Sequence, residues 1–148
     1  QVDPEQKQKV VTLLAQEHVA VIVTQGAQWP TATLQAFAET DALDLLFIMG
    51  ADADKFQNLI RNPNVTVLVD NRDVGDVATF QVARVSIQGV AEEIARDGPQ
   101  WEPFKAIFLK KNPFEAPFFA SEKLRMVRVQ PKRISYAGAA RDMFKAEL

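Results

Sequence analysis

The chain has 148 residues, 47% apolar and 24% charged, which fits one globular domain over residues 1–148 with a core needing no staples. It has no cysteine, which excludes disulfides, thiolate zinc sites, iron–sulfur clusters and cysteine nucleophiles, and its single histidine, His18, would have to carry any histidine-based metal site or triad alone. A formal net charge of −2 argues against a nucleic-acid partner, and no apolar run approaches the roughly 20 residues that span a bilayer.

The opening Gln1-Val2-Asp3-Pro4-Glu5 is too polar for a signal peptide, so the cytoplasm is the expected compartment. Asp3 can cap a helix, Pro4 suits its first turn, and Gln6 sits where it can reach back to the cap. Val10, Leu13, Leu14 and Glu17 follow at helical spacing, which predicts an amphipathic helix over 4–17. From His18 to Gln25 the β-branched Val19, Val21, Ile22 and Val23 favour a strand instead. Gly26 to Pro30 is turn material, residues 31–39 alternate as a second strand, and a turn at 41–44 precedes Leu45-Leu46-Phe47-Ile48-Met49. Short strands joined by tight turns predict an antiparallel meander.

Residues 52–61 read as a short helix with an acidic first turn, stopped by Asn62-Pro63. A strand over 65–70 and a polar loop to Asp76 lead to a long strand over 80–94, with Gly89 a bulge or bend. Gly98-Pro99 breaks that strand. Trp101, Phe104, Ile107 and Phe108 then mark a helix ending at Lys110-Lys111-Asn112-Pro113, and a second short helix is expected around 114–120. Leu124 to Val129 lead into Pro131, and Ile134-Ser135-Tyr136 is the expected last strand. About six strands with intervening helices predict a mainly β protein, an antiparallel barrel running from about 18 to 137 behind the N-terminal helix.

The stretch 47–65, with Lys55, Asn58-Leu59, Arg61 and Asn62-Pro63 in that order, resembles the pyridoxamine-5'-phosphate-oxidase-like proteins. Val85-Ser86-Ile87-Gln88-Gly89-Val90-Ala91-Glu92 is similar to the family's long strand with its glycine, and residues 129–136 to its closing strand. The resemblance implies a six-stranded split barrel of the FMN-binding type, a homodimer, and one FMN in each of two clefts between the subunits. It places Lys55 and the strand end Ile48-Met49 beside the flavin phosphate, where a helix N-terminus and a lysine suit an anion. It runs the isoalloxazine along Thr33, Leu34 and Gln35, brings Arg84 from the partner subunit, and lays Tyr136 over the ring. Against the family's usual serine, threonine or arginine, the loop here carries Asp52 and Asp54, which must turn outward if a phosphate dianion is to sit there. Trp29 likewise stands where a basic residue often precedes the proline.

The residues leave plainer readings open. Lys55 reads equally as a solvated helix lysine, Asp52 and Asp54 as helix-start charges, Arg84 as half of a cross-strand or cross-subunit ion pair, and Tyr136 as a packed aromatic. His18 suits a structural hydrogen bond. The aromatics Trp101, Phe104, Phe108, Phe114, Phe118 and Phe119 read as packing, some of them as candidates to line a substrate pocket. The functional expectation is an FMN-dependent oxidoreductase acting on an unidentified small-molecule substrate or electron donor, with catalytic residues unassigned. Its alternative is a non-catalytic cofactor-binding or sensor protein on the same barrel. Deazaflavin, or no cofactor, replaces FMN in variants of these readings, and a haem role would leave His18 as the sole candidate axial histidine.

Overall fold

The computed structural model describes residues 2–139 and 142–148. Helix α1 spans Pro4–Gln16, and the Asp3 carboxylate accepts the Glu5 and Gln6 main-chain N–H groups at 2.8 and 3.2 Å. Its buried stripe is Val10, Leu13 and Leu14, as the spacing predicts. Strands β1 (Val19–Gln25) and β2 (Pro30–Ala36) form a hairpin. Strand β3 (Ala38–Glu39) follows β2 after Phe37 alone, and β4 spans Leu45–Gly50. The turn between them is closed by Thr40 and Asp44, and it holds Leu43 at a φ of 67° with its side chain in the core.

Helix α2 (Asp54–Arg61) is followed by β5 (Asn64–Asp70) and β6 (Arg84–Ile94). Residues 80–83, expected in the long strand, belong to the preceding loop. Phe80 has a φ of 56°, which a strand does not accommodate, and the Asn71 side chain accepts the Ala83 N–H at 2.8 Å. Helix α3 (Trp101–Lys111) and a 3-10 helix (Pro113–Ala120) precede β7 (Leu124–Ala137), and β8 is Met143–Glu147.

All strand pairs are antiparallel, in the order β2-β1-β5-β6-β7-β4-β3, with β8 added on β7. Because β2 and β3 are separated by one residue, the first and last members of that order are covalently continuous, and the sheet curls round on itself. Counting β2 and β3 as one bent strand gives the six expected, and β8 is an addition that the reading did not contain. Nor was β7 expected to run unbroken through Pro131. That proline falls between the residues paired with β4, which end at Val129, and those paired with β8, which begin at Arg133. It therefore sits where β7 changes partner on that side. Opposite it, the β6–β7 register shifts between Gln88 and Gly89, and a Cβ on Gly89 would lie 2.5 Å from the Gln130 carbonyl oxygen. The expected bulge is there, and only glycine fits its close approach.

The barrel interior holds Ile22, Leu45, Phe47, Val67, Val85, Ile87, Val129 and Ile134, with Val10, Leu13 and Leu14 of α1 and Phe56 and Leu59 of α2 packed into the same core. A second core lies outside β4 and β7, where Trp101, Phe108 and Phe119 cover Leu46, Leu124 and Met126. Burial of large side chains is worth about 1.5–3 kcal/mol each, so both cores contribute to the fold. No helix among the described residues is long and apolar enough to cross a membrane.

Candidate functional site

Three of the expected site residues lie on β2. Ile22 faces Thr33 and Ala20 faces Gln35, so these two polar side chains share the inward side with buried residues of β1, whereas Leu34 points outward and is 68% exposed. The Gln35 side-chain amide donates to the Ile48 carbonyl of β4 at 3.2 Å. Strands β2 and β4 share no ladder, so this bond crosses the seam of the barrel. The Thr33 hydroxyl and the Gln35 Oε1 are buried at the same strand without a hydrogen-bond partner. A buried polar atom left unpaired costs about 1–3 kcal/mol, so the seam holds polar groups with unused hydrogen-bonding capacity.

Ile48 and Met49 form the last turn of β4 before the chain crosses Gly50 into α2. They line a cavity of about 260 Å³ together with Gly50, Leu124, Phe118 and Glu115. Lys55, in the first turn of α2, is half-buried and makes no ion pair with the described residues, and burial pulls its ammonium below the ordinary lysine value. The acidic loop does turn outward. Asp52 lies in solvent, ion-paired to Lys123 at 2.8 Å, and the hydrogen bond from that lysine holds its carboxyl below the usual carboxylate range. Asp54 is exposed at the start of α2, where its charge complements the helix dipole. Of the motif residues, Asn58 has a structural role. Buried Asn58 donates to the Thr24 hydroxyl at 3.1 Å and accepts from Arg61 at 2.8 Å, which docks α2 onto the β1–β2 hairpin.

Arg84 and Tyr136 lie at the α1 end of the β6–β7 pair, remote from the Ile94–Met126 end that adjoins Ile48. Arg84 stands beside Asp70 and Ala137 across the ladders, donates to the Val82 carbonyl at 2.8 Å, and lays its guanidinium 4.5 Å from the Phe80 ring centroid. Tyr136 is buried beneath α1 and stacked on Phe144, with centroids 4.9 Å apart and planes 16° off parallel. Within one chain the structure thus joins Gln35 to Ile48 across the seam and sets Ile48 beside Met49 in one cavity. It leaves Arg84 and Tyr136 outside that cavity.

Two further residues stand out. Phe118, one of the aromatics that read as packing or as pocket lining, lines the Ile48–Met49 cavity and is 57% exposed. Glu17, at the end of α1, is only 6% exposed. Burial, then a hydrogen bond shared with Asp73, then the charges of Asp73 and Asp70 push its carboxyl up to about 7, with Lys111 opposing them. It borders a cavity of about 370 Å³ with His18, Val19, Val21, Leu34 and Leu68. Its place one turn beyond Leu13 and Leu14 puts it on the buried stripe of α1, and the β5–β6 loop and α3 bring Asp73 and Lys111 beside it.

A curled antiparallel sheet split along a β2–β4 seam, with helices at its ends and a cavity at the exit of β4, defines a protein of the split-barrel class. The chain belongs to the pyridoxamine 5'-phosphate oxidase family, whose model matches residues 6–137. No curated protein matches the sequence. Among solved structures, a heme binding protein from Mycobacterium smegmatis superposes with a TM-score of 0.88 at 17% identity, over 99% of this chain and 60% of that one. A FAD-binding protein from Mesorhizobium loti gives 0.74 at 17% identity, over 90% and 93%. The heme storage protein HutZ from Vibrio cholerae gives 0.69 at 15% identity, over 91% and 95%. At these identities the likeness is one of fold. This chain spans less than two thirds of the length of the Mycobacterium smegmatis protein.

Proposed function

We propose that this protein binds FMN and works as an oxidoreductase on a small molecule. The observation that carries the reading is the β2–β4 seam. There the Thr33 hydroxyl and Gln35 Oε1 are buried without partners, on the strand that the family places along the isoalloxazine. A flavin edge, with its alternating donors and acceptors, is a fitting partner for such groups. Lys55, half-buried and free of carboxylates, suits the phosphate at the start of α2, and Asp52, already engaged by Lys123, offers it less repulsion. Ile48, held to Gln35 across the seam, and Met49 would flank the flavin on the seam side of β4, away from the phosphate. When bound, the flavin supplies the hydride or electron transfer, and the chain's own residues hold and orient it.

The reading includes a homodimer in the cytoplasm. The outer face of β1, β2 and β5 presents Val19 at 48% and Leu34 at 68% exposure, with Val21 and Leu68 beside them, an apolar surface suited to a second copy. Dimerisation would also let Arg84 of one chain approach the cofactor of the other. Sedimentation equilibrium tests the assembly, and a monomer at micromolar concentration would remove the shared cleft. The cofactor is tested by visible absorbance of the purified protein and an FMN titration followed through flavin fluorescence. Saturation near one FMN per chain supports the reading. A colourless protein indifferent to FMN overturns it, and the same titration with a deazaflavin decides between the two isosteric cofactors.

The second reading is a non-catalytic cofactor-binding or sensor protein. Its support is the acidic Asp52–Asp54 loop and the description of two structural neighbours as heme binding and heme storage proteins. A haemin titration with a saturating Soret shift, in a protein that ignores FMN, would establish it.

A further inference from the structure

We propose that the cavity between the 3-10 helix and the end of β4 binds a small aromatic molecule that is neutral or positively charged. Phe118 stacks on its ring, and Glu115 accepts from its polar or cationic end. The inference rests on the flavin reading for its meaning as a substrate subsite, though not for the binding itself.

The 3-10 helix presents two adjacent phenylalanines in opposite directions. Phe119 is 8% exposed and meets Trp101 edge-on at 6.1 Å and Phe108 at 6.3 Å, so it anchors the helix in the outer core. Phe118 is 57% exposed and turns to the cavity. The support beneath it is stiff. Arg96 donates to the Ser121 and Leu124 carbonyls at 2.9 and 3.0 Å, reaches the Phe119 carbonyl at 3.5 Å, and lies 4.8 Å from the Trp101 ring centroid. Pro113 and Pro117 restrict the helix backbone further. An aromatic side chain with two rotatable bonds, carried on a fixed backbone, binds without a large ordering cost.

The remaining lining sets the ligand class. Ile48 and Leu124 make the opposite wall apolar, and the volume of about 260 Å³ admits a small ring system. Lys123 is the cation of the lining, and Asp52 neutralises it at 2.8 Å. Glu115 is half-buried and has no ion pair among the described residues. The uncompensated charge facing the cavity is therefore negative. It repels a phosphate ester and favours an amine or a hydrogen-bond donor, which the negative face of the Phe118 ring also attracts.

The test is isothermal titration calorimetry of the whole chain with benzylamine, benzyl alcohol and benzyl phosphate, without FMN and with FMN at saturation. Benzylamine and benzyl alcohol are expected to bind, and benzyl phosphate to bind at least tenfold more weakly. Phe118→Ala should weaken the first two by about tenfold, the scale of one aromatic contact. Glu115→Gln should weaken benzylamine and spare benzyl alcohol. Phe118→Leu, which keeps apolar bulk, checks that any loss comes from the ring, and thermal melts check that the variants fold. Equal affinity for benzyl phosphate, no response to Phe118→Ala, or displacement of benzylamine by FMN would each overturn the subsite. A protein that binds benzylamine and ignores FMN keeps the subsite and loses the flavin reading. One that binds FMN and none of the probes does the reverse.

Discussion

Gln35 and Ile48 are joined by a side chain rather than by a ladder, since the amide of one donates to the carbonyl of the other at 3.2 Å where β2 and β4 do not pair. That bond holds the seam at the place where the cofactor is proposed to lie. Gln35→Ala is expected to lower stability by about 1 kcal/mol, the net worth of one hydrogen bond. It should lower FMN affinity as well, because the Ile48 strand end is no longer held. Urea unfolding and flavin titration of the same variant measure the two effects, and a stable variant with unchanged affinity would take Gln35 out of the site.

Lys55 separates stability from binding. Burial without a carboxylate disfavours its charged form, so Lys55→Met should leave the ligand-free protein as stable or more so. The same substitution should weaken FMN by about 1–3 kcal/mol if the ammonium meets the phosphate. Equal FMN affinity in wild type and variant would return Lys55 to the role of an ordinary helix lysine.

Glu17 makes stability depend on pH with a definite sign. In the folded protein its carboxyl is raised from 4.5 to about 7, so between those values the native state keeps a proton that the unfolded chain releases. Stability contributed by this group is greatest at low pH, falls as pH rises from about 4.5, and is lost above 7, a swing of about 3 kcal/mol. Glu17→Gln should flatten that part of the profile and be more stable than wild type at pH 8. Chemical unfolding at intervals from pH 5 to pH 8 reads it directly, and parallel profiles for the two proteins would contradict the assignment.

Arg96 is the clamp of the 3-10 helix. Arg96→Ala removes its contacts to three carbonyls and to the Trp101 ring, and should cost about 2–3 kcal/mol. Hydrogen exchange over residues 113–124 should accelerate more than exchange in β5 or β6. Uniform acceleration across the chain would mean that the arginine supports the whole fold instead.

Much of this architecture is legible in the residues themselves. Asp3-Pro4 starts α1, the β-branched run at 19–23 makes β1, Asn62-Pro63 ends α2, and Gly89 marks the bulge, because each acts through contacts within a few positions. The family could be read from Lys55, Asn58 and Arg61 in order, and of these Asn58 proves to dock α2 on β1. Periodicity shows that a face is covered but not what covers it. The passage of β7 through Pro131 depended on where its two partners end and begin. The addition of β8 depended on pairing with β7, since Phe144 and Ala146 alone are a weak alternation. The opposite turning of Phe118 and Phe119, the raised carboxyl of Glu17, and the unpaired oxygens of Thr33 and Gln35 were likewise decided by tertiary packing. Those features arise where chain segments distant in sequence meet, and a local pattern carries no record of its distant neighbour.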